Sequence, residues 1–496
     1  MPLVSENVIP RPGGGVLIRR TVEIEVPAGT SMLEAETLMQ QALQQAGTGM
    51  VEEFLHAHDP PLDALQCKGR KWTRKLKAEP RVVESTFGAV TISRWAYQTS
   101  SGGRCLYPLD EKMDLAGAAT PKFAKSLACK MAHTPAATVC GDLEENHART
   151  VSVHFVQAVT DLIGAIALEV QPAPDTATLP KPEDVAIIAV GVDGAMVQIT
   201  VPPQLSGETT PPPPATGAVG NSMQEAAEAE AAEAAEAAGA AGAAGAAVPA
   251  RDRRKGRRLE WRNAMVGTIT FYSKEGERLG TIYTGAAPPE YSGDGKEDFW
   301  FLMDRELAAV KAHYPKARYD GISDGARDFV PWLTENTDQL TLDFYHGTGY
   351  LSTVSGDMVE PGKGHAARQS QWLAKACSRL KHEDGAATAL LEEMAKRRSH
   401  PAPGGAAGER PDKSITYFRN NFSRMDYAER LRGNHPIASG VTEAACGLII
   451  KDRMCNRGMR WSLRTAQHII TLRSLIKTTG DCWQNFWKLA FNKPVA

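Results

Sequence analysis

The chain has no CxxC pair. Its eight cysteines, Cys67, Cys105, Cys129, Cys140, Cys377, Cys446, Cys455 and Cys482, are scattered, which removes the zinc-ribbon class of nucleic-acid module and reads as a reduced protein. Net charge is also nearly absent: −2, with a pI near 6.7, so any contact with nucleic acid must come from local basic patches and not from a global field. The opening MPLVSENVIPRPGGG lacks the basic-then-apolar order of a secretory leader. Long apolar runs are missing too. The most apolar helical candidate, near Val156–Val170, carries Asp161 and reads as too short to span a bilayer. A cytoplasmic protein with no membrane partner is expected.

What is present is enough chain for two or three domains, with 42% hydrophobic residues to build their cores. Thr30–His58 reads as a helix, with Ser31 as N-cap, Glu34 three positions on, and an apolar stripe of Leu33, Leu38, Met39 and Leu43. A basic run, Lys68–Lys77, precedes a β-hairpin candidate at Arg81–Gln98 that turns at Phe87-Gly88. Cations in that setting suit phosphate contact, or a solvated edge. Three helices follow: Lys122–Ala132, Ala136–Asn146 behind Pro135, and one capped by Ser152. A short-turn helix pair of this kind fits a helix-turn-helix.

Pro172–Asp184 is proline-rich and acidic, a linker. Val185–Val197, VAIIAVGVDGAMV, then reads as a buried strand that brings up the carboxylate of Asp193, followed by Gly194, and continues as strand. Low-complexity sequence interrupts the chain at 202–258, ending in the basic tail Arg251–Arg258, which either touches DNA or is a solvated charge run. The sheet resumes with a hairpin (WRNAMVGTITFYS, RLGTIYTG). A helix follows at about Gly295–His313 on Phe299, Phe301, Leu302, Leu307 and Val310. Next come a strand ending at Asp324 and a last strand, Gln339–His346. Three strands, helix, strand, helix, strand is the order of an RNase H-like α/β sheet. Residues 347–433 read as a helical insertion, with pieces at Ala366–Leu380, Glu383–Arg398 and Tyr417–Arg432. A loop from His435 enters a helix bearing Glu443, with Ser439 and Gly440 at its cap. The expected division is 1–120, an N-terminal α+β region; 121–171, helix-turn-helix; 172–184, linker; 185–478, the catalytic domain; and 479–496, a tail.

Three carboxylates thus stand at the ends of regular elements: Asp193, Asp324 and Glu443. Phosphoryl transfer on DNA uses divalent ions held by such groups, and Mg²⁺ needs only a few protein oxygens. Asp193 and Asp324 lie 131 residues apart. Without the low-complexity stretch, that gap still holds a hairpin, a helix and a strand.

The set GVDGAMV, SDGARDF, DFYH, HPIASGVTEAAC and RGMRWS, in this order from Val185 to the C-terminus, resembles the DDE transposases of bacterial insertion sequences, specifically the ISKra branch related to the Mutator-like group. The resemblance implies an RNase H-like core in which Asp193, Asp324 and Glu443 are the catalytic, metal-binding acids for Mg²⁺ or Mn²⁺. It implies double-stranded DNA, both element ends and target, as partner, and a homo-oligomer that brings two ends together. A D-x-x-H element matches Asp343 and His346. His346 would orient a carboxylate or contact the scissile phosphate, or the pair would only support the strand end, and Asp343 is the rival to Asp324 as a metal ligand. Lys451, Arg453, Arg457 and Arg460 would present cations to DNA, with Trp461 packing or stacking on a base. The rival readings are a helix-turn-helix protein without catalysis and an RNase H-like nuclease without strand transfer.

Overall fold

The computed structural model describes residues 3–11, 15–59, 61–67, 69–171, 177–201, 258–288, 296–399, 409–456 and 458–491. The low-complexity stretch with its basic tail (apart from Arg258) and the loop at 401–408 lie outside the described residues. The chain divides into two compact units, Met1–Pro172 with Trp483–Ala496, and Ala173–Pro203 with Gly256–Cys482.

In the first unit, β1 (Leu3–Pro10) and β2 (Val16–Val22) form a hairpin. Helix α1 (Met32–Ala57) starts with the capping box expected of Ser31 and Glu34. Its packing is not the expected one. Leu33 and Leu43 are 76% and 64% exposed, and the buried face is Ala35, Ala42, Ala46, Gly47 and Gly49, with Leu55 near the C-terminal end. Small residues let the helix approach closely: a Cβ on Gly47 would stand 2.4 Å from the Phe87 ring. After β3 (Ala64–Cys67) and β4 (Arg70–Arg74) comes the hairpin β5 (Glu79–Glu84) and β6 (Ala89–Arg94), then the short β7 (Tyr97–Gln98). Arg74 lies over the Trp95 ring, and Lys75 pairs with Glu79 at 2.9 Å. A short helix, α2 (Pro108–Lys112), leads into three longer ones, α3 (Pro121–His133), α4 (Ala136–His147) and α5 (Val153–Val170). Helix α5 is long and apolar enough to cross a membrane by length and composition, but Val156, Val159, Leu162, Ile163 and Ala167 are buried, and it packs on α3 and α4. The C-terminal segment is not a free tail. It forms a helix, Cys482–Phe491, in which Phe486 is buried and Gln484 accepts a hydrogen bond from Lys125 of α3 at 2.6 Å.

The second unit is built on a mixed five-stranded sheet: β8 (Ile187–Val201), β9 (Arg258–Tyr272), β10 (Arg278–Ala286), β11 (Arg318–Ser323) and β12 (Gln339–Leu342), in the order β10-β9-β8-β11-β12. The first three are antiparallel neighbours, and β8, β11 and β12 run parallel. The crossover between β10 and β11 contains helix α6 (Glu297–His313), and the one between β11 and β12 contains α7 (Val330–Asn336). Alternation sorts the sheet's two faces. Ile188, Val190 and Val192 of β8 join Phe299, Met303, Leu307 and Val310 of α6 in one core, whereas Phe301 is 64% exposed. The expected linker contributes to this core: Leu179 is buried in it, and the Tyr314 hydroxyl donates to the Pro180 carbonyl at 2.6 Å.

Asp343 ends β12 as the N-cap of α8 (Phe344–Val354), so the D-x-x-H element is a strand-to-helix junction and not strand through His346. Helices α9 (His365–His382), α10 (Ala386–Ser399) and α11 (Glu409–Asn421) enclose a second core with Phe344, Leu351, Leu390, Phe418 and Tyr427. The expected helix Tyr417–Arg432 is broken by a 3₁₀ turn, Phe422–Arg424, before α12 (Tyr427–Arg432). Helix α13 (Gly440–Ala445) then runs into a π-helical segment, Cys446–Lys451, and α14 (Leu463–Lys477) packs on β10.

Candidate functional site

Ile322 of β11 pairs with Gly191 of β8, an offset of 131 residues. Asp324 stands at that same offset from Asp193, two residues further along. Ser323 pairs with Leu342 of β12, and the next residues at the same offset are Asp324 and Asp343. Continued past the last pairs, the register would bring Asp193, Asp324 and Asp343 near one level, Asp324 and Asp343 just beyond the ends of β11 and β12, with neighbouring strands about 4.8 Å apart. Asp193 points to the face opposite the α6 core, because its neighbour Val192 points into that core. Asp193 is not at a strand end, since β8 continues to Val201. It lies just past the last residue at which β8 pairs with β11.

Helix α13 covers that face. Gly191 sits beneath it, where a Cβ would stand 2.1 Å from Thr442 Oγ1, and the Thr442 and Thr268 hydroxyls lie 2.8 Å apart. This close approach brings the helix bearing Glu443 down onto the sheet. Glu443 and Cys446 are three residues apart, hence on one side of the helical stretch. The buried Cys446 thiol donates to Asp193 Oδ2 at 3.3 Å, while Asp193 Oδ1 accepts from the Gly194 N–H at 2.7 Å. Burial, then the Asp193 charge and hydrogen bond, push the Cys446 thiol far up, so it stays a protonated donor. The π-helical segment that follows frees backbone carbonyls, and the buried Arg473 guanidinium donates to those of Leu448 and Ile449, at 3.0 Å for Ile449.

Asp343 is fully buried and accepts four hydrogen bonds. Oδ1 takes the His346 N–H at 2.7 Å and faces His346 Nδ1 at 3.0 Å. Oδ2 takes the Ser439 N–H at 2.5 Å and the Ser439 hydroxyl at 2.9 Å. Burial raises the Asp343 carboxyl, but the backbone N–H groups of Ser439 and His346, with their side chains, outweigh it and hold the group below its usual range. The Ser439 hydroxyl also lies 2.9 Å from Glu443 Oε1. One proton serves one carboxylate at a time, so the hydroxyl is a bridge between two acids and not the backbone cap expected of it. His346 Nδ1 is 3.7 Å from Glu443, whose side chain is half-exposed. Beneath this row, the buried Asp320 pairs with Arg430 at 2.9 Å and with His435, tying β11 to the segment that leads to Ser439.

No protein-family model matches the chain, and no curated protein matches it significantly.

Among the described residues, one group of three brings its ligand atoms within 4.8 Å of one another: Asp343, His346 and Glu443. Asp193 and Asp324 are outside that group. Their oxygens are the less committed ones, however. Both residues are partly exposed, and Asp324 Oδ1 takes a single hydrogen bond, from the Ala326 N–H at 2.8 Å. Asp343, by contrast, has its lone pairs occupied by the protein. The group the structure does assemble, Asp343, His346 and Glu443, offers two carboxylates and an imidazole.

Two of the expected DNA contacts are corrected. Arg453 is 3% exposed, lies over the Trp461 ring at 4.7 Å, and is pushed down by burial to about 10. Trp461 is 7% exposed and donates from Nε1 to the Met454 carbonyl. Its backbone bonds to Gln198 and Thr200 as an extra partner for β8. Both residues are core, because the segment after the π helix returns to the sheet. Lys451 and Arg460 are exposed, and Arg457 lies outside the described residues.

Proposed function

We propose that this chain is a DDE-type transposase with an RNase H-like catalytic unit, which binds insertion-sequence ends and catalyses DNA strand cleavage and strand transfer. The observation that carries the reading is the register: β8 and β11 pair in parallel at an offset of 131 residues, which is the separation of Asp193 and Asp324 two residues beyond the last pair, and the helix bearing Glu443 packs over Gly191. The strand order and the mixed parallel and antiparallel pairing are those expected of that fold.

In this reading Asp193, Asp324 and Glu443 hold Mg²⁺ or Mn²⁺, which would activate the attacking oxygen and stabilise the leaving one. Cys446 and Gly194 fix the rotamer of Asp193. Asp343 is a pin: as N-cap of α8 and acceptor from Ser439, it ties the end of β12 to the loop that carries Glu443. His346 orients Glu443 from 3.7 Å. Lys451 and Arg460 contact backbone phosphates, and α3–α5 supply the helix-turn-helix that recognises the ends. Bringing two ends together requires a homo-oligomer, in the bacterial cytoplasm at the nucleoid.

The test is metal-dependent cleavage of duplex DNA carrying the sequences that flank the gene, followed by joining of pre-cut ends to a target plasmid. Alanine at Asp193, Asp324 or Glu443 is expected to abolish both steps and leave end binding intact. Full cleavage by Asp324→Ala would transfer its role to Asp343. Cleavage without joining would make the protein a nuclease, and end binding without either would remove catalysis.

A further inference from the structure

Beside the turn that carries Asp324, and within the same unit, a cavity of about 770 Å³ opens between the start of α7 and helix α11. Its wall includes Arg327, Lys413 and Arg424 and, among the described residues, no carboxylate side chain. Tyr350 and Tyr417 form one side, their rings stacked at 3.7 Å and 14°. The Tyr417 hydroxyl donates to the Asp324 backbone carbonyl at 3.1 Å, so the cavity wall and the acid share a support. The 3₁₀ break at Phe422–Arg424 turns Arg424 toward this wall. Its Nη2 donates to Asn421 Oδ1 at 2.6 Å, while its Nη1 is buried and has no hydrogen-bond partner among the described residues.

A buried guanidinium N–H left unsatisfied is costly, and because Arg424 lines the cavity, a small swing of its side chain would let an anion there pair with it. Arg327 and Lys413 add positive charge on the same wall. Paired aromatic rings provide an apolar flank, and the exposed Asn420 amide offers both a donor and an acceptor. Cations, an apolar flank and an amide together match a nucleotide: phosphate, sugar and base. The volume is in the range of small-molecule sites, about 300–1,000 Å³. We propose that this cavity holds one nucleotide of a single DNA strand, with its phosphate on Arg424 and Arg327 and its base against the tyrosine pair and Asn420. The inference rests on the proposed function in one respect, that the strand is the one cut at the neighbouring acids.

The test is fluorescence anisotropy of a labelled single-stranded (dT)6 with the full chain, in EDTA so that cleavage plays no part. Arg424→Gln is expected to weaken binding about tenfold and to lower the salt slope by about 0.7. Arg424→Lys should keep most of the affinity, and thymidine monophosphate should displace the probe from the wild-type protein. If Arg424→Gln does not fold, Arg327→Gln carries the same expectation of weaker binding. Wild-type affinity in the folded glutamine variants overturns the proposal, as does displacement by inorganic phosphate as effective as that by the nucleotide. Metal-dependent cleavage of duplex DNA without Arg424-dependent (dT)6 binding sinks the cavity assignment alone. Arg424-dependent binding by a protein that cleaves nothing sinks the transposase reading alone.

Discussion

Replacing Gly191 by alanine is the most direct probe of how the helix bearing Glu443 is seated. The added methyl would meet Thr442 Oγ1 at 2.1 Å, Thr268 Oγ1 at 3.1 Å and Thr442 Cβ at 3.2 Å. Nonbonded heavy atoms settle near about 3.5–4.0 Å, so the start of α13 must retreat by roughly 1 Å. Overpacking of this kind costs about 1–3 kcal/mol. Glu443 is the next residue after Thr442 and moves with it, and a displacement of about 1 Å at a catalytic group can cost on the order of 100-fold in rate. Gly191→Ala is therefore expected to lower the melting temperature by a few degrees and cleavage by about two orders of magnitude. Thr442→Ala removes the atom that clashes first, at the cost of the 2.8 Å hydroxyl contact with Thr268, about 1 kcal/mol. The double variant should then be more stable than Gly191→Ala alone, with a coupling of about 1 kcal/mol or more between the two positions. Calorimetry and a cleavage time course on all four proteins complete the cycle. A Gly191→Ala protein that melts and cleaves like the parent, or a double variant with purely additive losses, would refute the seating argument.

Two further outcomes follow from the same geometry. Because the Asp343 carboxyl is held below its ordinary value, its ionised form stabilises the fold above the unfolded aspartate value of about 3.9, and that contribution is lost as pH falls through the lower folded value. Urea unfolding of Asp343→Asn against the parent should therefore show a gap at pH 6 that narrows toward pH 3, and a constant gap would contradict it. The buried Trp461 and the exposed Lys451 and Arg460 should separate cleanly. Trp461→Ala is expected to cost about 3–5 kcal/mol of stability. Lys451→Ala and Arg460→Ala should stay within about 0.5 kcal/mol and each reduce the salt slope of duplex binding by about 1. Equal losses of stability at all three positions would show that the surface assignment is wrong.

Features set by neighbouring residues are legible in the amino-acid sequence itself. The Ser31–Glu34 box, the helix trio from Pro121, and the hairpins at Phe87-Gly88 and 274–277 depend on local turn and capping chemistry, and each lies where the sequence puts it. Which face of a helix is buried is not local. Leu33 and Leu43 of α1 are solvent-facing because its neighbours approach closely enough to require alanine and glycine instead. At the site, the acids are legible as residues at element ends, and the equality of the 131-residue offset with the strand register is what relates two of them. Cys446 and Ser439, as donors to Asp193, Asp343 and Glu443, are not apparent from residue type. One signal for them is the spacing of Ser439 four residues before Glu443 on a helix start. Asp343 offers another, as an N-cap residue ahead of an apolar run that reads equally well as continuing strand. Arg453 and Trp461 read as a DNA-facing pair because charge and aromaticity suggest nucleic acid. Nothing nearby in sequence announces that this segment folds back beside β8.

The closing helix of the chain gives the first unit an unusual history. Its partner on α3 is made first, and Gln484 leaves the ribosome 359 residues after Lys125. The second unit is translated in between, and at about 5–20 residues per second that interval takes on the order of half a minute. Throughout that interval the nascent chain presents Lys125 without its eventual partner. The first unit is thus completed only after the second has been made, and a message truncated before residue 483 would damage a fold begun far upstream.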